Sequence, residues 1–169
     1  MAVQAVVSAD GTEIKYALTG SGRPVLLIHG FPDDHSLWVA QAEALAAAGM
    51  QAVSVDQRGF GKSGKPDDPM AYRVSRAMTD MVAVLDDLGH QTAAVVGHDW
   101  GAATASAVAL FAPERVERLV LLSAGHPGVF HTLGLRQFEL AWYMQFFQAP
   151  DVAEQWLRAD DWANFTSWC

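Results

Sequence analysis

Cysteine is almost absent from this 169-residue chain: Cys169 is the only one, which excludes a disulfide framework and any zinc site built on thiolates. Basic residues are also scarce, 11 Lys and Arg against 19 Asp and Glu, for a formal net charge of −8. That balance argues against a binder of nucleic-acid backbones, which carries a basic stripe. No apolar run approaches the ~18 residues of a membrane span. Met1 to Asp10 has neither a basic start nor a long apolar stretch, so no secretory signal is expected. The expectation is a soluble, cytoplasmic protein without nucleic-acid partners. Charged residues make up 18% and hydrophobic residues 51%, a composition that builds a core rather than a disordered tail.

The apolar residues fall into short runs. Val3–Val7 and Ile14–Leu18 flank Ala9-Asp10-Gly11-Thr12, and Asp-Gly between strand-like runs predicts a hairpin. Val25–Ile28 is continuous, as in a parallel strand covered on both faces. Ser36–Ala48 reads as helix and Ala52–Val55 as strand. Ala77, Met81, Val84, Leu85 and Leu88 form a helical stripe that stops at Gly89. Ala93–Val96 is a strand, Ala102–Ala112 a small-residue helix, and Val116–Leu122 a further strand. A hairpin followed by alternating strands and helices predicts an α/β fold with a mostly parallel sheet and helices on both faces. After Gly125 the character changes: ten of the 17 aromatic residues lie between Phe130 and Cys169. Phe138, Trp142, Phe146 and Phe147 suggest one apolar helical stripe ended by Pro150, and two short helical patterns follow, 152–158 and 161–168. The expected division is a core over 1–125, with six strands, and a helical subdomain over 126–169.

The sharpest motif is Gly97-His98-Asp99-Trp100-Gly101, set between a strand and a helix. Small residues on both flanks of a nucleophile belong to the tight strand-to-helix turn called a nucleophile elbow. A Cβ at either flank would strike the neighbouring strand or helix, and the helix N-terminus favours an anion at Asp99. The plain alternative is an ordinary turn with Asp99 as N-cap. His29-Gly30-Phe31-Pro32 follows the Val25–Ile28 strand, where a loop can supply a backbone N–H to an oxyanion hole; Phe31 and Trp100 are the candidate donors. His29 has no acid partner in the sequence and reads as structural in the loop. Gly59-Phe60-Gly61-Lys62-Ser63-Gly64 imitates a nucleotide loop, but Lys65-Pro66-Asp67-Asp68-Pro69 follows instead of a helix, so nucleotide binding is not expected.

With Asp56-Gln57-Arg58-Gly59-Phe60-Gly61-Lys62-Ser63 and Trp142-Tyr143-Met144-Gln145-Phe146-Phe147-Gln148, these segments resemble the α/β-hydrolase superfamily, specifically its epoxide hydrolase branch. The resemblance implies an α/β-hydrolase fold, here incomplete and ending inside a helical cap. It implies Asp99 as nucleophile, Phe31 and Trp100 as oxyanion hole, and Tyr143 as the acid that polarises the epoxide oxygen. His29, Pro32, His98, His126, Trp142 and Phe147 are expected around a small apolar epoxide, with water as second substrate and no metal or organic cofactor. Asp56 and Arg58 are expected to be structural anchors. Haloalkane dehalogenases usually carry Asn in place of Phe31, and fluoroacetate dehalogenases Arg in place of Trp100. Dehalogenation by Asp99 is nevertheless the rival chemistry.

The family order is nucleophile, acid, then His, and this chain ends before the expected acid and base. Its histidines are 29, 35, 90, 98, 126 and 131; only His126 and His131 follow the nucleophile, both on the link into the cap. A second cap tyrosine is also missing, since Tyr16, Tyr72 and Tyr143 are the only three. The chain is therefore not expected to turn over alone. Val116–Leu122 would be an exposed apolar edge through which the chain self-associates. A non-catalytic, self-associating fragment is the remaining alternative.

Overall fold

The computed structural model describes residues 2–124, 127–132 and 134–169. They form two compact units that divide between Pro127 and Gly128. The first unit is built on a six-stranded sheet in the order β1-β2-β4-β3-β5-β6. β1 (Ala2–Val7) and β2 (Glu13–Gly20) form the predicted antiparallel hairpin, with Val7 opposite Glu13. Its turn closes where Asp10 Oδ1 accepts the Thr12 N–H at 3.1 Å. β2 runs antiparallel to β4 (Met50–Val55). β4, β3 (Arg23–Ile28), β5 (Ala93–His98) and β6 (Val116–Leu122) are parallel to one another.

β3 shows why its sequence is uninterrupted in apolar character. Leu26 and Ile28 face a core with Val53, Val55, Val95 and the helices α2 (Val74–Asp87) and α3 (Trp100–Phe111). Val25 and Leu27 face the opposite layer, with Ala52, with Trp38 of the 3₁₀ turn His35–Trp38, and with Ala42 of α1 (Val39–Ala47). Each large aliphatic side chain fully buried this way contributes about 1.5–3 kcal/mol. α2 uses the predicted stripe, burying Ala77, Met81, Val84 and Leu85. Asp80 interrupts that stripe and is fully buried as well.

β6 lies at the sheet edge, with Leu119, Val120 and Leu122 exposed. The second unit comprises a 3₁₀ segment at Pro127–Thr132, then α4 (Gly134–Leu140), α5 (Trp142–Phe146) and α6 (Val152–Trp168). The single stripe expected through Phe138 and Phe147 is instead carried by two helices, broken at Ala141 (φ −98°, ψ 22°). No Gly or Pro marks that break, so spacing alone ran through it. α6 departs from helical geometry at Ala159–Trp162, which separates the two short helical patterns read there. Among the described residues, no helix is long and apolar enough to cross a membrane.

Candidate active site

Register brings the two motifs together. β3 and β5 are adjacent parallel strands with Ile28 opposite Gly97, so their following loops leave the same end of the sheet side by side. At that end the Phe31 N–H donates to Asp99 Oδ1 at 3.0 Å. Asp99 has φ +52° and ψ −120°, a backbone state that side chains with a Cβ rarely adopt. Its N–H donates to the Leu122 carbonyl of β6 at 3.1 Å, and its carbonyl accepts from Ala102 at 2.9 Å, closing the turn into α3. The flanking glycines are required by space. A Cβ on Gly97 would overlap the Gly101 and Ala102 backbone, and one on Gly101 the carbonyls of Ile28 and His29. Trp100 opens α3 directly after the acid, so its backbone N–H belongs to the helix's first turn.

His29 is structural in the loop, in keeping with its lack of an acid partner. It is fully buried; its Nδ1 lies 2.7 Å from the Gly30 carbonyl, and its Nε2 accepts the Gln57 N–H at 3.1 Å. With both nitrogens used by the backbone, His29 braces the loop. Burial pushes its pKa below the ordinary histidine value. Gln57 extends the brace, donating to the His29 carbonyl at 2.6 Å and accepting from Thr104 at 2.7 Å. Pro32 is exposed and follows a cis Phe31–Pro32 peptide. His98 is half-buried, with Nδ1 closed off from solvent and without a hydrogen-bond partner.

Tyr143, Trp142 and Phe147 lie in the second unit. There Tyr143 packs edge-on against Phe147 and Trp168, at centroid distances of 6.0 and 5.5 Å, and Trp142 lies 5.8 Å from Phe146. His126 lies outside the described residues.

Three contributors escaped the sequence reading. Gly30 gives Asp99 its room, since a Cβ there would sit 2.5 Å from Asp99 Oδ1. The phenyl ring of Phe60 packs edge-on against both His29 and Phe31, at 5.2 and 6.2 Å. Asp80 takes a two-pronged contact from Arg58, at 2.7 and 2.6 Å, while Arg58 also reaches Asp10 at 2.9 Å and the Ala71 carbonyl at 2.7 Å. Arg58 thereby holds the Asp10 carboxyl well below the usual carboxylate range. The available signal was a carboxylate inside an apolar helical stripe, which calls for a buried cation.

Among the described residues, Asp34, His35 and Asp56 are close enough together to hold a metal ion. Their oxygens are already engaged. Asp56 accepts the His35 N–H at 2.8 Å and the Lys62 N–H at 2.9 Å, lies 2.7 Å from His35 Nδ1, and Asp34 accepts from Ser36 at 2.8 Å. The cluster folds the loop that imitates a nucleotide site; a short 3₁₀ turn at Pro69–Tyr72 follows that loop.

The family of the alpha/beta hydrolase fold matches residues 23–169. Epoxide hydrolase 2 of Siraitia grosvenorii is 39% identical over 153 residues, covering 88% of this chain and 48% of that protein. The AB hydrolase superfamily protein YfhM of Bacillus subtilis is 34% identical over 160 residues, 92% of this chain and 56% of that protein. Among solved structures, an epoxide hydrolase from an endophytic Streptomyces superposes with a TM-score of 0.80 at 38% identity, covering 94% of this chain and 49% of that one. The chain thus spans about half the length of the curated relatives it matches. It belongs to the alpha/beta hydrolase fold family and is epoxide hydrolase-like within it.

Proposed function

We propose that this chain carries the nucleophilic half of an epoxide hydrolase. The observation that carries the reading is the strained Asp99, held at the carboxyl end of the sheet with the Phe31 N–H 3.0 Å from its carboxylate. In the first step an Asp99 oxygen attacks an epoxide carbon, a C–O ester bond forms, and the ring C–O bond breaks. The departing oxygen takes the Tyr143 phenol proton, so residues 126–169 act as the start of a cap bearing that acid. In the second step water attacks the ester carbonyl, the Phe31 and Trp100 N–H groups stabilise the oxyanion, and collapse releases a diol and the Asp99 carboxylate.

That second step needs a base. His29 is spent on Gly30 and Gln57, His35 lies on Asp56, His90 Nε2 lies 2.7 Å from Gln51, and His98 ends β5 with its Nδ1 closed off from solvent and so from an attacking water. We therefore expect the ester to accumulate on this chain rather than turn over. The substrate class, a small apolar epoxide, and the role of Tyr143 belong to the same proposal.

The test is intact-mass analysis after incubation with styrene oxide, with Asp99→Ala as control. One adduct per chain on the Asp99 peptide, absent in the control, is the expected result. A cooperatively folded protein that gains no adduct overturns the reading. Labelling by a haloalkane but not by the epoxide would assign dehalogenase chemistry instead.

A further inference from the structure

The loops that meet at Asp99 are joined twice. The direct link is the Phe31 N–H on Asp99 Oδ1, at 3.0 Å. The second runs through Gln57, which donates from Nε2 to the His29 carbonyl at 2.6 Å, two residues before Phe31. Gln57 Oε1 accepts the Thr104 hydroxyl at 2.7 Å, one turn along α3 from Trp100, and α3 starts directly after Asp99. Gln57 and Thr104 are 5% and 3% exposed, so water does not compete for these bonds. We propose that Gln57 is a positioning residue for ester cleavage, its tether keeping the Phe31 N–H in place once the Asp99 charge has been consumed, an inference that rests on the epoxide hydrolase reading of Asp99.

Charge separates the two links. Before reaction Oδ1 belongs to a carboxylate, and a hydrogen bond to an ionised acceptor is roughly twice as strong as one to a neutral acceptor. The carboxylate therefore draws the Phe31 N–H to itself. Once Asp99 is an ester that pull is gone, yet cleavage needs the same N–H aimed at the oxyanion that forms there. No bond of the tether involves the Asp99 carboxylate, and the Gln57 backbone is itself fixed by its N–H on His29 Nε2 at 3.1 Å. Esterification thus leaves the tether intact. Its loss should spare ester formation and slow ester cleavage.

The experiment times the two steps separately by mass. The protein and its Gln57→Met variant, which keeps the length of the side chain but loses its amide, are labelled with styrene oxide and freed of excess epoxide. Hydroxylamine then cleaves the ester: its nitrogen attacks the Asp99 carbonyl carbon, a C–N bond forms and the ester C–O bond breaks. The departing alkoxide takes the proton from nitrogen, leaving the Asp99 hydroxamic acid and 1-phenylethane-1,2-diol. Gln57→Met should change labelling by less than about threefold and slow cleavage about tenfold or more. Val84→Ala serves as a control for lost stability, since Val84 lies in the core on α2 and in none of these bonds. It should lower Tm and leave both rates within about twofold.

Cleavage as fast in Gln57→Met as in the parent, labelling slowed as much as cleavage, or cleavage slowed equally by Val84→Ala overturns the proposal. If styrene oxide does not label Asp99 in the parent, the nucleophile reading has failed, and hydrogen exchange of the Phe31 amide judges the tether by itself. In Asp99→Asn, where the acceptor is neutral, Gln57→Met should speed that exchange about tenfold; with Asp99 ionised it should speed it less than about threefold. Equal effects in the two backgrounds overturn the tether's role as well.

Discussion

Replacing Asp99 with glycine should stabilise the fold relative to replacing it with alanine, and the difference measures the strain stored at the nucleophile. At φ +52° and ψ −120° a residue with a Cβ is held in a state that costs about 1–3 kcal/mol. Glycine relieves that cost but brings a freer unfolded chain, worth about 0.5–1 kcal/mol against it. Both substitutions remove the carboxylate that accepts the Phe31 N–H, so that loss cancels in the comparison. The net expectation is that Asp99→Gly exceeds Asp99→Ala by about 0.5–2 kcal/mol. In a chain of this size that corresponds to about 1–8 °C in Tm. Urea equilibrium unfolding of the two variants, with equal m-values, gives the difference directly. Neither variant should form an epoxide adduct. An alanine variant as stable as the glycine variant would show that the elbow relaxes once the acid is gone, and would refute strain stored at Asp99.

Other perturbations test the framework around that elbow. Asp80→Ala leaves the buried Arg58 guanidinium with only Asp10 and Ala71, and should cost about 3 kcal/mol or more. Pairing it with Arg58→Met should restore most of that loss in urea unfolding; a double variant no better than the single would refute the buried-charge argument. His29 takes up a proton less readily folded than unfolded, so its contribution is intact above the ordinary histidine pKa. That contribution is lost as pH falls from the ordinary value toward the depressed one, so Tm should drop as pH falls below about 6.5. The drop should be smaller in His29→Gln, and an unchanged slope would remove His29 as its source. The exposed edge of β6 should make the chain self-associate as concentration rises, with Val120→Lys reducing the effect in sedimentation. A wild-type protein that stays monomeric at every concentration would refute that reading.

Much of the first unit was legible because its signals are local. β3 is apolar without interruption from Val25 to Ile28 because both faces are covered, and the hairpin is marked by Asp10-Gly11. The elbow is legible for the same reason: Gly97 and Gly101 are forced by backbone contacts within a few residues or across one strand pairing. What escaped depends on distance along the chain. Asp80 and Arg58 lie 22 residues apart, and only the fold shows that Asp10 completes the pair. His29 reads as structural from the sequence, but only the fold shows that Gln57, 28 residues on, is the residue it braces. The break at Ala141 has no composition signal, because a turn of helix can be interrupted without Gly or Pro.

Asp99 is tied unevenly to the sheet, by its carboxylate on one side and by its backbone on the other. On one side, β3 is buried on both faces, and its loop reaches Asp99 through the Phe31 N–H. On the other, the Asp99 N–H is held by the Leu122 carbonyl, the last residue of β6. β6 is an edge strand with Leu119, Val120 and Leu122 exposed, so its pairing to β5 is the less protected of the two anchors. The positive φ of Asp99 is fixed by its backbone bonds, the N–H to Leu122 and the carbonyl to Ala102, because strain survives only where the surroundings over-determine it. The backbone geometry of Asp99 is therefore coupled to how firmly β6 stays paired. Fraying that edge should therefore disturb the turn at Asp99 through the Leu122 carbonyl alone, without any β6 side chain taking part.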